Sequence, residues 1–169
     1  MITSTRIADA LVADFDAECG HTQRVLAAVP EDKLDWKPHA KSMTLGKLAS
    51  HVAEIPKLVP LLLEPEFLPG ALANWKPFLA QSRRELLEGF ERFAADARQG
   101  LEGLTDDVME ADWRLRKGDK VLWSCPRKVA MRTLLIHHWI HHRGQLTVYL
   151  RLLDVPVPAT YGPSADVAV

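Results

Sequence analysis

Cysteine is scarce in this 169-residue chain: Cys19 and Cys125 stand far apart, with no CxxC spacing. Such a pair makes neither a disulfide framework nor a zinc ribbon, and both residues read as reduced thiols. Cys125, in an apolar patch after Leu122, reads as a small buried side chain rather than a fourth metal ligand. Long apolar runs are missing too. The longest, Leu58 to Leu63, is interrupted by Pro60 and falls far short of the ~20 residues that span a bilayer. The N-terminus passes from Met1-Ile2-Thr3-Ser4-Thr5-Arg6 straight into an amphipathic pattern, without an apolar signal core. The expectation is a soluble, cytoplasmic protein with no membrane partner. Excess charge of either sign is also lacking. A formal net charge of -1 leaves no field to hold a nucleic-acid backbone, and the basic run Arg114-Leu115-Arg116-Lys117 is diluted by Asp112 and Asp119. No GxSxG elbow, P-loop, dinucleotide fingerprint or internal repeat is present.

What remains is an ordinary globular balance, 47% hydrophobic and 25% charged, at a length that suits one domain over residues 1–169. Helical spacing dominates. Ile7, Leu11, Phe15, Cys19, Thr22 and Leu26 predict a first helix from about Thr5 to Ala28, stopped by Pro30. Leu34 to His39 reads as a loop that Trp36 anchors. Thr44 is the expected N-cap of a second helix with Leu45, Leu48, Val52 and Ile55 inward, bent or ended by Pro56 and Pro60. Glu64 to Gly70 reads as a connection. A third helix is expected from about Trp75 or Phe78 to Leu101, burying Leu79, Leu86, Leu87, Phe90, Phe93 and Ala97. Asp112 to Trp123 alternates around Gly118-Asp119 and suits a short hairpin or extended excursion. Pro126 opens a last helix reaching about Leu153, before a proline-rich tail. The expected fold class is all-α, a four-helix bundle with a short hairpin between helices 3 and 4.

Four of the seven histidines crowd into His137-His138-Trp139-Ile140-His141-His142. A helix offers two pairs here, His137 with His141 and His138 with His142, each about 6 Å apart along the axis. The stripe Met131, Leu135, His138, His142, Leu146, Tyr149, Leu153 advances by threes and fours, which places His138 and His142 on the inward face. His137 and His141 fall on a peripheral stripe. His51 shares the inward stripe of the second helix. Inward imidazoles need hydrogen-bond partners or a metal. Two core histidines satisfied by polar groups remain the plain alternative. A third imidazole on another helix favours an ion that relieves their mutual repulsion. Three nitrogen donors leave open positions for water or substrate, and they suit zinc, nickel, iron or copper. Glu54, one turn after His51, either orients a ligand, acts as a general base or lies solvated on the surface. Arg143 and Gln145 read as surface or supporting groups.

The run His138-Trp139-Ile140-His141-His142-Arg143-Gly144-Gln145-Leu146, continuing to Tyr149-Leu150-Arg151, resembles the last-helix motif of the DinB family. Trp36-Lys37-Pro38 with Ser42 to His51, and the tail Pro158 to Asp166, are similar to that family as well. The likeness spans nearly the whole chain; the stretch from about Pro65 to Lys128 carries little that is diagnostic. It implies a DinB-like four-helix bundle, commonly a homodimer, with a divalent metal on His51, His138 and His142, zinc or nickel ahead of iron. Relatives in the broader superfamily are thiol-dependent S-transferases and isomerases, so the resemblance also implies a low-molecular-weight thiol and a small electrophilic substrate. Two functions compete: a thiol-dependent transferase or hydrolase, with Glu54 as its candidate catalytic residue, and a non-catalytic dimeric stress-related protein that binds a metal or small ligand. Nothing in the resemblance supports DNA binding.

Overall fold

The computed structural model describes residues 6–67 and 76–168. It is mostly helical, but it carries a three-stranded sheet, so the all-α expectation is corrected. The first helix, α1, spans Ile7–Ala27 and buries Leu11, Phe15, Thr22, Val25 and Leu26 along one side. The expected start at Thr5, Pro69 and Gly70 of the 64–70 connection, and Trp75 lie outside the described residues.

The second helix, α2 (Leu45–Glu54), starts where expected. The Thr44 hydroxyl accepts the Lys47 N–H at 3.3 Å, a side-chain N-cap. Pro56 and Pro60 cannot donate to a helix ladder, and the chain tightens into a 3-10 turn at Ile55–Leu58 before the short α3, Val59–Leu63. Trp36 anchors the preceding loop, its ring edge-on to Tyr149 at 5.7 Å.

The third long helix starts later than the pattern predicts. Here α4 runs Arg83–Leu101, and Phe78 and Leu79 belong to an irregular segment before it, with Leu79 half exposed. Two causes fix the start. Ser82 accepts the Glu85 N–H at 3.1 Å while Glu85 reaches back to the Gln81 N–H at 2.8 Å, close to a capping box. Upstream, the Phe78 N–H donates to Glu54 and the Ala80 N–H to the Ser50 hydroxyl, which ties this irregular segment to α2. Segment and helix touch closely: a Cβ at Gly89 would come within 2.5 Å of the Phe78 ring.

After α5 (Asp106–Glu110), β2 (Asp112–Lys117) and β3 (Lys120–Pro126) form the expected hairpin. Gly118 takes φ +58° at its turn, a conformation glycine adopts without strain. A third strand is new. Glu66–Phe67, labelled β1, pairs in parallel with β2, setting Phe67 opposite Leu115. Trp113 is fully buried beneath the sheet, stacked on Phe67 and edge-on to Trp123.

The C-terminal rod is not one uniform helix. It comprises α6 (Arg127–Met131), a π-helical stretch (Arg132–His137) and α7 (His138–Leu152). Helix α1 packs on α4 and α7, and α2 packs on α4 and α7. Trp139 is wholly buried where they meet, near Phe15 and Phe90, and its indole N–H donates to the Val52 carbonyl at 2.9 Å. No helix among the described residues is long and apolar enough to cross a membrane.

Candidate metal centre

That indole bond fixes α7 against α2, because Trp139 follows His138 and Val52 follows His51. The two helices therefore meet with their histidines side by side. His51, His138 and His142 each offer a ring nitrogen, and these atoms lie within 4.8 Å of one another. Ring centroids are 5.2 Å apart for His51 and His138, 4.6 Å for His51 and His142, and 4.7 Å for His138 and His142. His51 Nε2 stands 3.3 Å from His138 Nε2. Two nitrogens each about 2.0–2.1 Å from a tetrahedral ion are separated by about 3.3–3.4 Å, so this spacing fits a shared ion.

The opposite ring nitrogens are engaged. His138 Nδ1–H donates to the Leu134 carbonyl at 3.3 Å; a carbonyl only accepts, so this bond sets the tautomer and leaves Nε2 with its lone pair. His142 Nδ1 bonds Gln145 Oε1 at 2.8 Å, with the same consequence. Behind His51, Glu54 Oε1 lies 3.6 Å from Nδ1, an electrostatic contact beyond hydrogen-bond length. Glu54 is buried, not solvated; its other oxygen accepts the Phe78 N–H at 2.9 Å and faces Lys57 at 3.4 Å. Burial pushes its pKa up, yet His51, the Phe78 N–H and Lys57 together hold it below its ordinary value. Glu54 thus stands behind a ring, on the side away from the cluster. Backing groups of this kind are what ligating histidines ordinarily have.

Electrostatics disfavour a charge on the two histidines of α7. Burial, then the neighbouring His142 and His51, lowers the His138 pKa from 6.5 to about 4. His142 is lowered too, again chiefly by burial. Neutral imidazoles are the form in which histidine donates to a metal.

The inward stripe of the last helix differs from the one read from spacing. Its fully buried line is Met131, Leu135, Trp139, Arg143, Leu146, Leu150, while His138 and His142 sit half-buried at its margin. The π-helical stretch is the cause: its wider turn makes the steps from Met131 to Trp139 fours. The outcome suits a site, because marginal rings reach both the core and the solvent side. His137 and His141 are exposed, as their stripe implied. Cys125, in β3 opposite Trp113, is not part of the imidazole group.

Three participants escaped sequence reasoning. Arg143, expected as a surface or supporting group, is buried and bonded to Glu18 of α1 at 2.5 Å. Glu18 carries no local signal, because 125 residues separate it from Arg143. The Phe78 amide was equally invisible. Gln145, read from the sequence as a surface or supporting group, is the supporting partner of the His142 ring.

A mostly helical chain with three converging imidazoles, two of them held in one tautomer by a hydrogen bond, defines a class of protein with a candidate divalent-metal centre. The DinB family profile matches residues 1–168, and the chain belongs to that family. It is 23% identical over 161 residues to the uncharacterized protein YrdA of Bacillus subtilis, covering 94% of this chain and 90% of that protein. Among solved structures, a DinB-like protein from Bacillus subtilis, YjoA, superposes with a TM-score of 0.70 at 18% identity, over 89% of this chain and 97% of the other. A DinB-like protein from Bacillus cereus gives 0.68 at 22% identity, over 89% and 95%. These likenesses extend the fold; they assign no reaction.

Proposed function

We propose that this DinB-family protein is a metal-dependent enzyme whose centre is formed by His51, His138 and His142. The favoured ion is zinc or nickel, with iron as the third candidate. The observation that carries this reading is the convergence of three imidazoles whose other nitrogens face a carbonyl, an amide oxygen and a carboxylate. Among the described residues no thiol or carboxylate joins the group, which leaves positions open for a substrate. A bound divalent ion supplies Lewis-acid chemistry there, making a thiol or water acidic near neutral pH. The reaction class is transfer of a low-molecular-weight thiol to a small electrophile, or hydrolysis. Glu54 acts by orienting His51 rather than as a general base, since it lies behind the ring. We read α1, α2, α4 and the α6–α7 rod as the four helices of a DinB-like bundle. The protein is proposed to form a homodimer through the outer face of α7, where Val148 and Leu152 stand exposed along the line of His137, His141 and Gly144.

Elemental analysis of the purified protein and of a His138→Ala variant tests the centre. One ion per chain, lost in the variant, supports it; a metal-free wild type overturns it and leaves the histidines as core residues. Turnover by the metal-loaded protein across a panel of thiols and electrophiles then separates an enzyme from a non-catalytic stress-related binding protein.

A further inference from the structure

An apolar cleft of about 190 Å³ opens beside the cluster. Its described walls are Leu58, Leu61, Leu62, Phe67 and Leu134, and His138 is the one polar side chain among them. The walls come from three consecutive features, the 3-10 turn after α2, α3 and β1, and from the distant π-helical stretch with His138 at the start of α7. Two of them have contacts that hold them in place. Phe67 is held by its pairing with Leu115 and its stack on Trp113, and Leu134 both lines the cleft and holds the His138 ring through its carbonyl.

The chemistry of the lining selects an occupant. A water molecule deep in this space would find a polar partner only at His138, short of the two to four it needs. An ionised arm would lose its hydration without a compensating charge, because no lysine or arginine lines the described walls. An apolar cavity of about 150 Å³ admits a benzene ring, so this one suits roughly six to eight carbons.

We propose that the cleft receives the uncharged apolar arm of the substrate, an aryl ring or an alkyl chain of about six to eight carbons, with its reactive polar end at the imidazole cluster. The proposal rests on reading that cluster as the catalytic centre, and it narrows the substrate to an apolar electrophile.

The test is a leucine-methyl NMR titration of the whole protein with 1-alkanols from butanol to decanol. Shifts are expected at Leu58, Leu61, Leu62 and Leu134. Affinity should rise about fourfold per added methylene, then level off once the cleft is full. Leu61→Trp, at a half-buried wall position, should abolish these shifts with zinc content and circular dichroism unchanged. If that variant does not fold, Leu61→Phe should move the plateau to a shorter chain. Shifts confined to the separate groove by Leu11 and Met109, or a flat chain-length profile, would overturn the proposal. On zinc-loaded protein, 1-alkanethiols should follow the same order; a flat thiol profile beside a graded alkanol profile would break the link between cleft and centre. A protein that takes up no zinc but still seats alkanols would sink the metal reading and leave the cleft standing.

Discussion

A histidine among apolar walls and beside two other imidazoles resists protonation, and His138 is such a residue. With its pKa lowered from 6.5 to about 4, the unfolded chain binds a proton in that window that the folded chain does not. The contribution of His138 to the stability of the metal-free protein is therefore complete above about pH 6.5 and is lost as pH falls toward 4. His142 acts in the same direction, and Glu54, held below its ordinary value, extends the loss further into acid. Urea midpoints measured from pH 7 to pH 4.5 should fall, and the fall should be shallower in His138→Leu. Glu54 also allows a test that leaves the fold intact. Glu54→Gln can still accept the Phe78 N–H but loses the charge behind His51. Metal affinity, measured by competition with a chelator, should weaken about 10–100-fold. Unchanged affinity would show that this carboxylate does not support the site.

At the scale of the element, the π-helical stretch is the decisive feature. It lets Trp139 and Arg143 enter the core while His138 and His142 stand at its edge. Deleting the exposed Thr133 should return the stretch to α-helical winding and rotate α6 against α7 by one residue. The expected result is retained helicity by circular dichroism with stoichiometric metal binding lost. Helix α4 teaches a related lesson. Its apolar spacing extends back to Phe78, but Ser82 caps the helix and the side chains of Ser50 and Glu54 tie the preceding segment to α2.

Across the whole molecule, the C-terminal tail is tied to the core by a buried ionic group. Arg143 of α7 bonds Glu18 at 2.5 Å and Thr22 at 3.1 Å, both on α1. Tyr161, from the tail, donates to Glu18 at 2.8 Å and accepts from Arg143. Removing one member leaves the other charge buried and unpaired. Glu18→Ala should cost about 3–5 kcal/mol in urea denaturation, and the double variant Glu18→Ala with Arg143→Met should recover much of it. Equal stability of the single and double variants would refute the pairing. The ion pair stands one residue from His142, so the single variant should also weaken metal binding; the same chelator competition reads it.

Local sequence determined a good deal of this protein. Helical spacing placed α1 and α2, Thr44 marked the start of the second helix, and alternation around Gly118-Asp119 announced the hairpin, because caps, turns and periodicity act over a few residues. The (i, i+4) spacing and the family motif picked out His51, His138 and His142, which the fold brings together. Other features were settled only by tertiary structure. The pairing of Phe67 with Leu115, the capture of the Phe78 amide by Glu54 and the Glu18–Arg143 ion pair join residues far apart in the chain. The wider winding before His138 likewise set His138 and His142 at the margin of the inward face. What spacing put in the centre of the core, packing set at its edge, because Trp139 and Arg143 fill the room between α1 and α2.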